Sequence, residues 1–331
     1  MKYHVYGVGN ALVDIVTEVD ASFFQQHEVE KGVMTLVDEN RQAQLMKAID
    51  MSRSKMSCGG SAGNTIIAVN QFGGKSFYSF LVAQDELGQF FISDLARNGV
   101  DTSLKVENCP EGHSGRCLVM TSPDADRTMN TFLGVSSMLA PNHLDADAIR
   151  QSAYVYLEGY LVSSPGGLQA MLAAKKIAEE AGVRVALTLS DPNMVRFFPN
   201  QFQEVIGASV DLLFSNEEEA MMVTGALNLE DAAQKMKSLA KKFVITLGAN
   251  GALVFDGDAM IRIQPFQTRA VDTNGAGDMF AGAFLYAITH GKSFADAGKL
   301  ASLASSRIVA QWGPRLEPGA AKALLADLKA F

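Results

Sequence analysis

Val271-Asp272-Thr273-Asn274-Gly275-Ala276-Gly277-Asp278 runs directly into Met-Phe-Ala-Gly-Ala-Phe-Leu-Tyr, an apolar segment with helical spacing. A glycine-rich turn opening into a helix leaves the N–H groups of Gly275, Ala276 and Gly277 without intrahelical acceptors. Those donors and the helix dipole favour an anion. Asp278 ends the turn, where a carboxylate can face a bound phosphate. A carboxylate beside an anion hole can take the proton from a hydroxyl while a phosphoryl group arrives. Taken alone, the same residues also suit a plain helix N-cap.

Further clusters stand at other turns. Asn10 and Asp14, in Gly-Asn-Ala-Leu-Val-Asp-Ile, follow the first apolar strand and could accept from and donate to a polyol. An Asx-turn with a solvated Asp is the alternative there. Cys58-Gly59-Gly60-Ser61-Ala62-Gly63-Asn64 opens a helix. Gly59 and Gly60 let backbone approach a ligand, and Asn64 offers an amide one turn in. Asn216 and Glu219 share a helix face, and hydrated Mg²⁺ held through few protein oxygens suits such a pair. The three acids Glu217, Glu218 and Glu219 also suit the helix dipole with no ion at all. Thr246-Leu247-Gly248-Ala249-Asn250-Gly251 reads as a glycine turn against a nucleotide phosphate or ribose, as a hairpin turn, or as both.

Other residues carry less. Arg127, near Asp124 and Asp126, reads as a solvated edge charge rather than a phosphate contact. The histidines at 4, 27, 113, 143 and 290 have no metal or triad spacing, and Ser61 has no adjacent base in sequence. Gly7-Val8-Gly9 lacks the third glycine of a dinucleotide fingerprint, because position 12 is Leu12.

These residues need a scaffold, and the apolar pattern supplies one. Short buried strands are expected at Val5–Val8, Phe77–Val82, Tyr154–Leu157, Val183–Leu189, Leu212–Ser215, Phe243–Thr246 and Ala252–Phe255. Amphipathic helices are expected at Ala62–Phe72, Gly88–Asn98, Gly167–Ala181, Asn216–Thr224 and Asp231–Ala240. That alternation implies a largely parallel sheet covered on both faces. Residues 14–37 and 113–132 break it with β-like runs at Arg116–Met120 and Thr128–Phe132, and read as a small β layer, a lid. No internal repeat or linker divides the 331 residues into separate domains.

Composition narrows the classes. The chain is 48% hydrophobic, which is ample for a core. A net charge of -8 and a pI near 5.2 argue against a nucleic-acid surface. No apolar run is long enough for a bilayer span, and the N-terminus has no signal-peptide pattern. Cys58, Cys109 and Cys117 are an odd number without metal-ligand spacing and read as reduced thiols of a cytoplasmic protein. Cys58 reads as a small buried hydrophobe.

The string ending at Asp278 resembles the C-terminal signature of the ribokinase-like (PfkB) carbohydrate kinase family. The likeness covers essentially the whole chain and is closest to the adenosine kinase branch. Gly-Asn-Ala-Leu-Val-Asp-Ile, Gly-Gly-Ser-Ala-Gly-Asn, Tyr-Val-Tyr-Leu-Glu-Gly-Tyr at 154–160 and Leu-Thr-Leu-Ser-Asp-Pro at 187–192 carry it. So do the segment 211–220 and Asn274, which is typical of that branch. The resemblance implies one ribokinase-like α/β kinase domain over residues 1–331, a three-layer fold with a largely parallel central sheet and a β-stranded lid. It implies Asp278 as catalytic base and Gly275, Ala276 and Gly277 as anion hole. Asp14, Gly60 and Asn64 would contact the acceptor, with Asn10 and Gly59 beside them. Asn216, Thr246, Gly248, Gly251 and Asn274 would contact the nucleotide, and Glu219 would reach Mg²⁺ through water. Leu36 and Leu133 are the lid positions nominated to cover a base.

The activity so implied is ATP- and Mg²⁺-dependent phosphorylation of the 5′-hydroxyl of a ribonucleoside, adenosine first. A sugar kinase of the same family, acting on ribose, fructose or a related sugar, stays open, as does a non-catalytic ligand-binding regulator. Many relatives use a monovalent cation such as K⁺ near Asp272, which stays open here. Neither nucleic acid nor membrane is expected as a partner, and monomer and homodimer remain equal alternatives.

Overall fold

The computed structural model describes residues 1–122 and 127–329. Asp124 and Asp126 lie outside the described residues, as does the side chain of Arg127. The strands described are β1 (Tyr3–Val8), β2 (Leu12–Glu18), β3 (Met34–Leu36), β4 (Lys55–Gly59), β5 (Ser76–Ser79), β6 (Gly115–Thr121) and β7 (Arg127–Phe132). They continue with β8 (Ser152–Glu158), β9 (Arg184–Thr188), β10 (Leu212–Asn216), β11 (Phe243–Thr246), β12 (Ala252–Phe255) and β13 (Met260–Ile263).

The larger sheet has the order β13-β12-β11-β10-β9-β8-β1-β5. Its strands from β5 to β11 pair in parallel, and the β11–β12–β13 edge is antiparallel. Near-continuous apolar strands suit this arrangement, because helices cover both faces. All seven residues of β8 are buried. On one face pack the helices Ser61–Gln71, Ala276–Thr289 and Phe294–Ile308, with a core that includes Phe214, Phe280 and Phe284. The other face is covered from Pro165–Glu180 onward, around Met171, Phe202 and Phe243. The carboxyl ends of β1, β8, β9, β10 and β11 therefore open on one edge, where ligands bind in such sheets.

The smaller sheet, β3-β7-β6-β2-β4, stands off that edge. Its back is sealed by Phe23, Phe24 and Leu45 against Ile15, Leu118 and Met120. Three features depart from the sequence expectation. Asp14 lies inside strand β2, opposite Ser57 and Cys117, and not in a turn. Strand β4 at Lys55–Gly59 completes this sheet outside both expected lid segments. The strand expected to reach Val82 ends at Ser79, although Leu81 and Val82 remain buried.

One packing detail fixes the site. A Cβ on Gly282 would lie 2.5 Å from Ala68 Cβ and 2.6 Å from the Thr65 carbonyl. The glycine lets the 276–289 helix press against the 61–71 helix, so their N-termini meet.

Candidate active site

Both helix N-termini deliver polar groups to one place. Asp278, in the first turn of the 276–289 helix, accepts from Ser61 Oγ at 2.7 Å on Oδ1 and from Asn64 Nδ2 at 3.1 Å on Oδ2. Burial pushes its carboxyl up to about 6, against the pull of those two donors and the Arg315 charge. A half-buried carboxylate tuned toward neutrality is equipped to accept a proton.

The glycine turn before this helix leaves the amides of its two glycines, but not the one between them, without a carbonyl acceptor among the described residues. Gly275 has φ +74°, and a Cβ there would collide with Pro314. Its own N–H and that of Gly277 have no carbonyl acceptor among the described residues, whereas Ala276 N donates to Thr273 O at 3.3 Å. The expected three free amides are therefore two, plus one in a long turn bond. Asp272 holds the turn, accepting from Asn274 N at 2.9 Å and Gly313 N at 2.8 Å.

Two cavities meet at this turn. One, of about 740 Å³, lies between the sheets and is lined by Asn10, Asp14, Gly60, Asn64, Asn216, Asn274 and Asp278. Leu36 and Leu133, the nominated lid positions, line it with Met34 and Met129. The other, of about 350 Å³, is lined by Thr246, Gly248, Gly251, Phe266, Phe280 and Val309. Thr273, Ala276 and Gly277 belong to both walls. The 246–251 segment is also a hairpin turn, with Thr246 opposite Ala252. No Lys or Arg lines either cavity among the described residues.

The polar floor differs from its reading in sequence. Asn10 spends its side chain on protein partners: Nδ2 donates to Glu158 Oε1 at 2.9 Å, and Oδ1 accepts from Ser136 Oγ at 3.1 Å. Glu158, which sequence reasoning passed over, is the acceptor at the centre. It also takes Asn10 N at 3.1 Å and, on Oε2, Ala62 N at 2.8 Å. Burial pushes its carboxyl up to about 7 despite those donors. Gly59 has no room for a Cβ because the Asp14 carboxyl is packed on it, and Gly60, at φ +86°, abuts the Asn10 carbonyl. Cys58 is a buried thiol.

Asn216 and Glu219 form a reciprocal capping box. Asn216 Oδ1 accepts from Glu219 N at 2.8 Å, while Asn216 N and Nδ2 donate to Oε2 and Oε1 of Glu219 at 3.0 and 2.8 Å. Asn216 lines the larger cavity and Glu219 stands buried behind it, its carboxyl pushed up to about 7 by burial. Each Glu219 oxygen keeps a second lone pair, so contact with an ion through water fits the donor set. Among the described residues no three His, Cys, Asp or Glu side chains gather as a metal cage. Ser190 and Asp191 also line this cavity unforeseen. Ser190 has φ +69°, and its buried Oγ has no partner among the described residues.

Comparison with known proteins shows the family and the fold. A family description, "pfkB family carbohydrate kinase", matches residues 34–318. The chain belongs to the pfkB family. A probable sugar kinase from Rhizobium etli has the same fold, with TM-score 0.91, 33% identity and 99% of both chains covered. Adenosine kinase from Sinorhizobium meliloti superposes at TM-score 0.91 with 34% identity, covering 98% of this chain and 100% of that one. An adenosine kinase from Saccharomyces cerevisiae is 26% identical over 310 residues, 86% of this chain and 88% of that protein. The pfkB fold thus accounts for the α/β architecture described above.

Proposed function

We infer that this pfkB kinase transfers the γ-phosphoryl group of ATP to the 5′-hydroxyl of a ribonucleoside, adenosine first. One observation carries the reading: two cavities share the Gly277 turn, and Asp278 lies behind it. The larger cavity joins an apolar wall, Met34, Leu36, Met129 and Leu133, to a floor of Asp14, Asn64 and Glu158. A flat apolar base joined to a ribose matches that division better than a free sugar does.

In this account residues 1–331 act as one kinase unit, with the smaller sheet as its lid. Asp14, Gly60 and Asn64 hold the ribose, and Asn10 holds Glu158 in place. The acceptor hydroxyl takes over the position on Asp278 Oδ1 that Ser61 Oγ occupies. ATP lies along Thr246, Gly248 and Gly251 with its γ-phosphate at the amides of Gly275 and Gly277, and Asn216 and Asn274 flank the phosphates. Glu219 would hold Mg²⁺ through water, and the ion would supply positive charge to the ATP phosphates. Asp278 accepts the proton as the phosphoryl group transfers in line. Closure of the lid excludes water.

Free-sugar phosphorylation is the second reading, favoured by the acidic hydroxyl-binding floor and by the likeness to a probable sugar kinase. ATP turnover with Mg²⁺ against adenosine, guanosine, inosine, cytidine, ribose and fructose at matched concentration separates them. Preference for adenosine, with a 5′-monophosphate as product, is the expected result. Preference for ribose or fructose would replace the nucleoside, and ligand binding without turnover on any acceptor would return the regulator.

A further inference from the structure

The segment after the 294–308 helix touches the glycine turn at two points. Gly313 N donates to Asp272 Oδ2 at 2.8 Å, and Pro314 fills the space beside Gly275. The segment is itself fixed by Gln311 Nε2 on the Arg315 carbonyl at 2.6 Å and Gln71 Nε2 on the Leu316 carbonyl at 2.9 Å. Arg315 therefore projects from a held backbone.

Its side chain is 17% exposed and lines neither cavity. Nη1 pairs with Asp94 of the Glu86–Arg97 helix, and Nε donates to Asn64 Oδ1 at 3.1 Å. Asn64 hands on its other end, Nδ2, to Asp278 Oδ2 at 3.1 Å. Arg315 Nη2 is buried without a partner among the described residues. A buried unmet donor works against folding, so a bare tether to Asp94 does not explain an arginine here.

We propose that Arg315 is a positioning residue for Asp278, acting through Asn64. With its carbonyl end tied to the guanidinium, the amide has only its NH₂ end to offer the carboxylate. The fixed positive charge also favours the ionised carboxylate that a general base requires. The inference rests on the reading of Asp278 as the base.

The other groups facing Asp278 are acidic or phenolic. Glu158 and Tyr156 come from β8, Tyr78 from β5 and Tyr160 from the turn after β8. Asp14 and Asp191 line the same cavity. The 294–308 helix presents Ser305 Oγ, bonded to the Ala276 carbonyl at 2.8 Å.

Two variants with opposite charge effects test this. Arg315→Met removes the cation; Asp94→Asn keeps it and removes its counter-ion. The readouts are the ¹³C titration of the Asp278 carboxyl and the pH profile of kcat. Arg315→Met should lower kcat about tenfold with KM for ATP unchanged, and move the carboxyl titration above its value of about 6. Asp94→Asn should move the titration downward. A titration unmoved in Arg315→Met, or moved in the same direction by both variants, would overturn the proposal. If Arg315→Met does not fold, Asp94→Asn decides alone: a downward shift supports the proposal, and no shift or an upward one overturns it. The carboxyl titration needs no turnover, so an enzyme inactive on every acceptor would defeat the kinase reading and leave this result standing.

Discussion

Gly277→Ala separates what the anion turn does for the fold from what it does for a ligand. A Cβ built on Gly277 meets nothing within 4 Å beyond its chain neighbours and its own helix backbone, and Gly277 is not among the positive-φ glycines. The residue is the second of the 276–289 helix. Alanine there should stabilise the fold by about 0.5–1 kcal/mol. An unfolding entropy of about 2.1 cal/mol/K per residue over 331 residues gives about 0.7 kcal/mol/K, so Tm should rise by about 1 °C. The space the methyl enters is the junction of the two cavities. Displacing a phosphoryl group from one amide donor should lower kcat by about 10²–10³. Differential scanning calorimetry and steady-state ATP turnover read the two effects separately. Gly275→Ala is the contrast, because its φ of +74° and the collision with Pro314 should lower Tm and activity together. A Gly277→Ala enzyme within about threefold of wild-type kcat would remove the phosphoryl group from this turn.

Three further outcomes follow from the site. Glu158 holds its proton up to about 7 when folded but releases it near the ordinary value of 4.5 when unfolded. The folded state therefore binds more protons between those values, and this group's contribution makes stability fall by about 3 kcal/mol as pH rises through them. Urea midpoints of wild type and Glu158→Gln at pH 5 and 8 check this: the variant should gain on wild type at pH 8, and an unchanged difference would contradict it. Chelating Mg²⁺ with excess EDTA should stop turnover and restoring Mg²⁺ should recover it, because no Lys or Arg among the described residues lines the phosphate path; activity persisting after chelation would contradict it. Asp14→Ala should raise the acceptor KM more than about tenfold with ATP KM unchanged, and an unchanged acceptor KM would remove Asp14 from the ribose.

What the sequence showed and what it hid divides by range. The helix starts at Ser61 and Ala276 were legible because glycines and capping residues are local signals. The strands Phe243–Thr246 and Ala252–Phe255 were legible because a short apolar run, a glycine turn and a second run form a unit. Strand β4 was not, since Lys55 and Met56 are exposed and the segment becomes a strand only by pairing with β2. Glu158 reads in sequence as the end of an apolar run; its partner Asn10 is 148 residues away. A carboxylate closing a buried parallel strand was the available signal. Arg315 gave none, because the Asn64 it orients lies 251 residues upstream.

The proposed reaction depends on Asp278 removing the proton from the acceptor hydroxyl. Asp278→Asn keeps the shape of the side chain and removes its basicity, so single-turnover phosphorylation of adenosine should be compared with ATP affinity by calorimetry. The account requires a rate loss of about 10³-fold or more with ATP affinity within about threefold of wild type. A rate within about tenfold of wild type would contradict it.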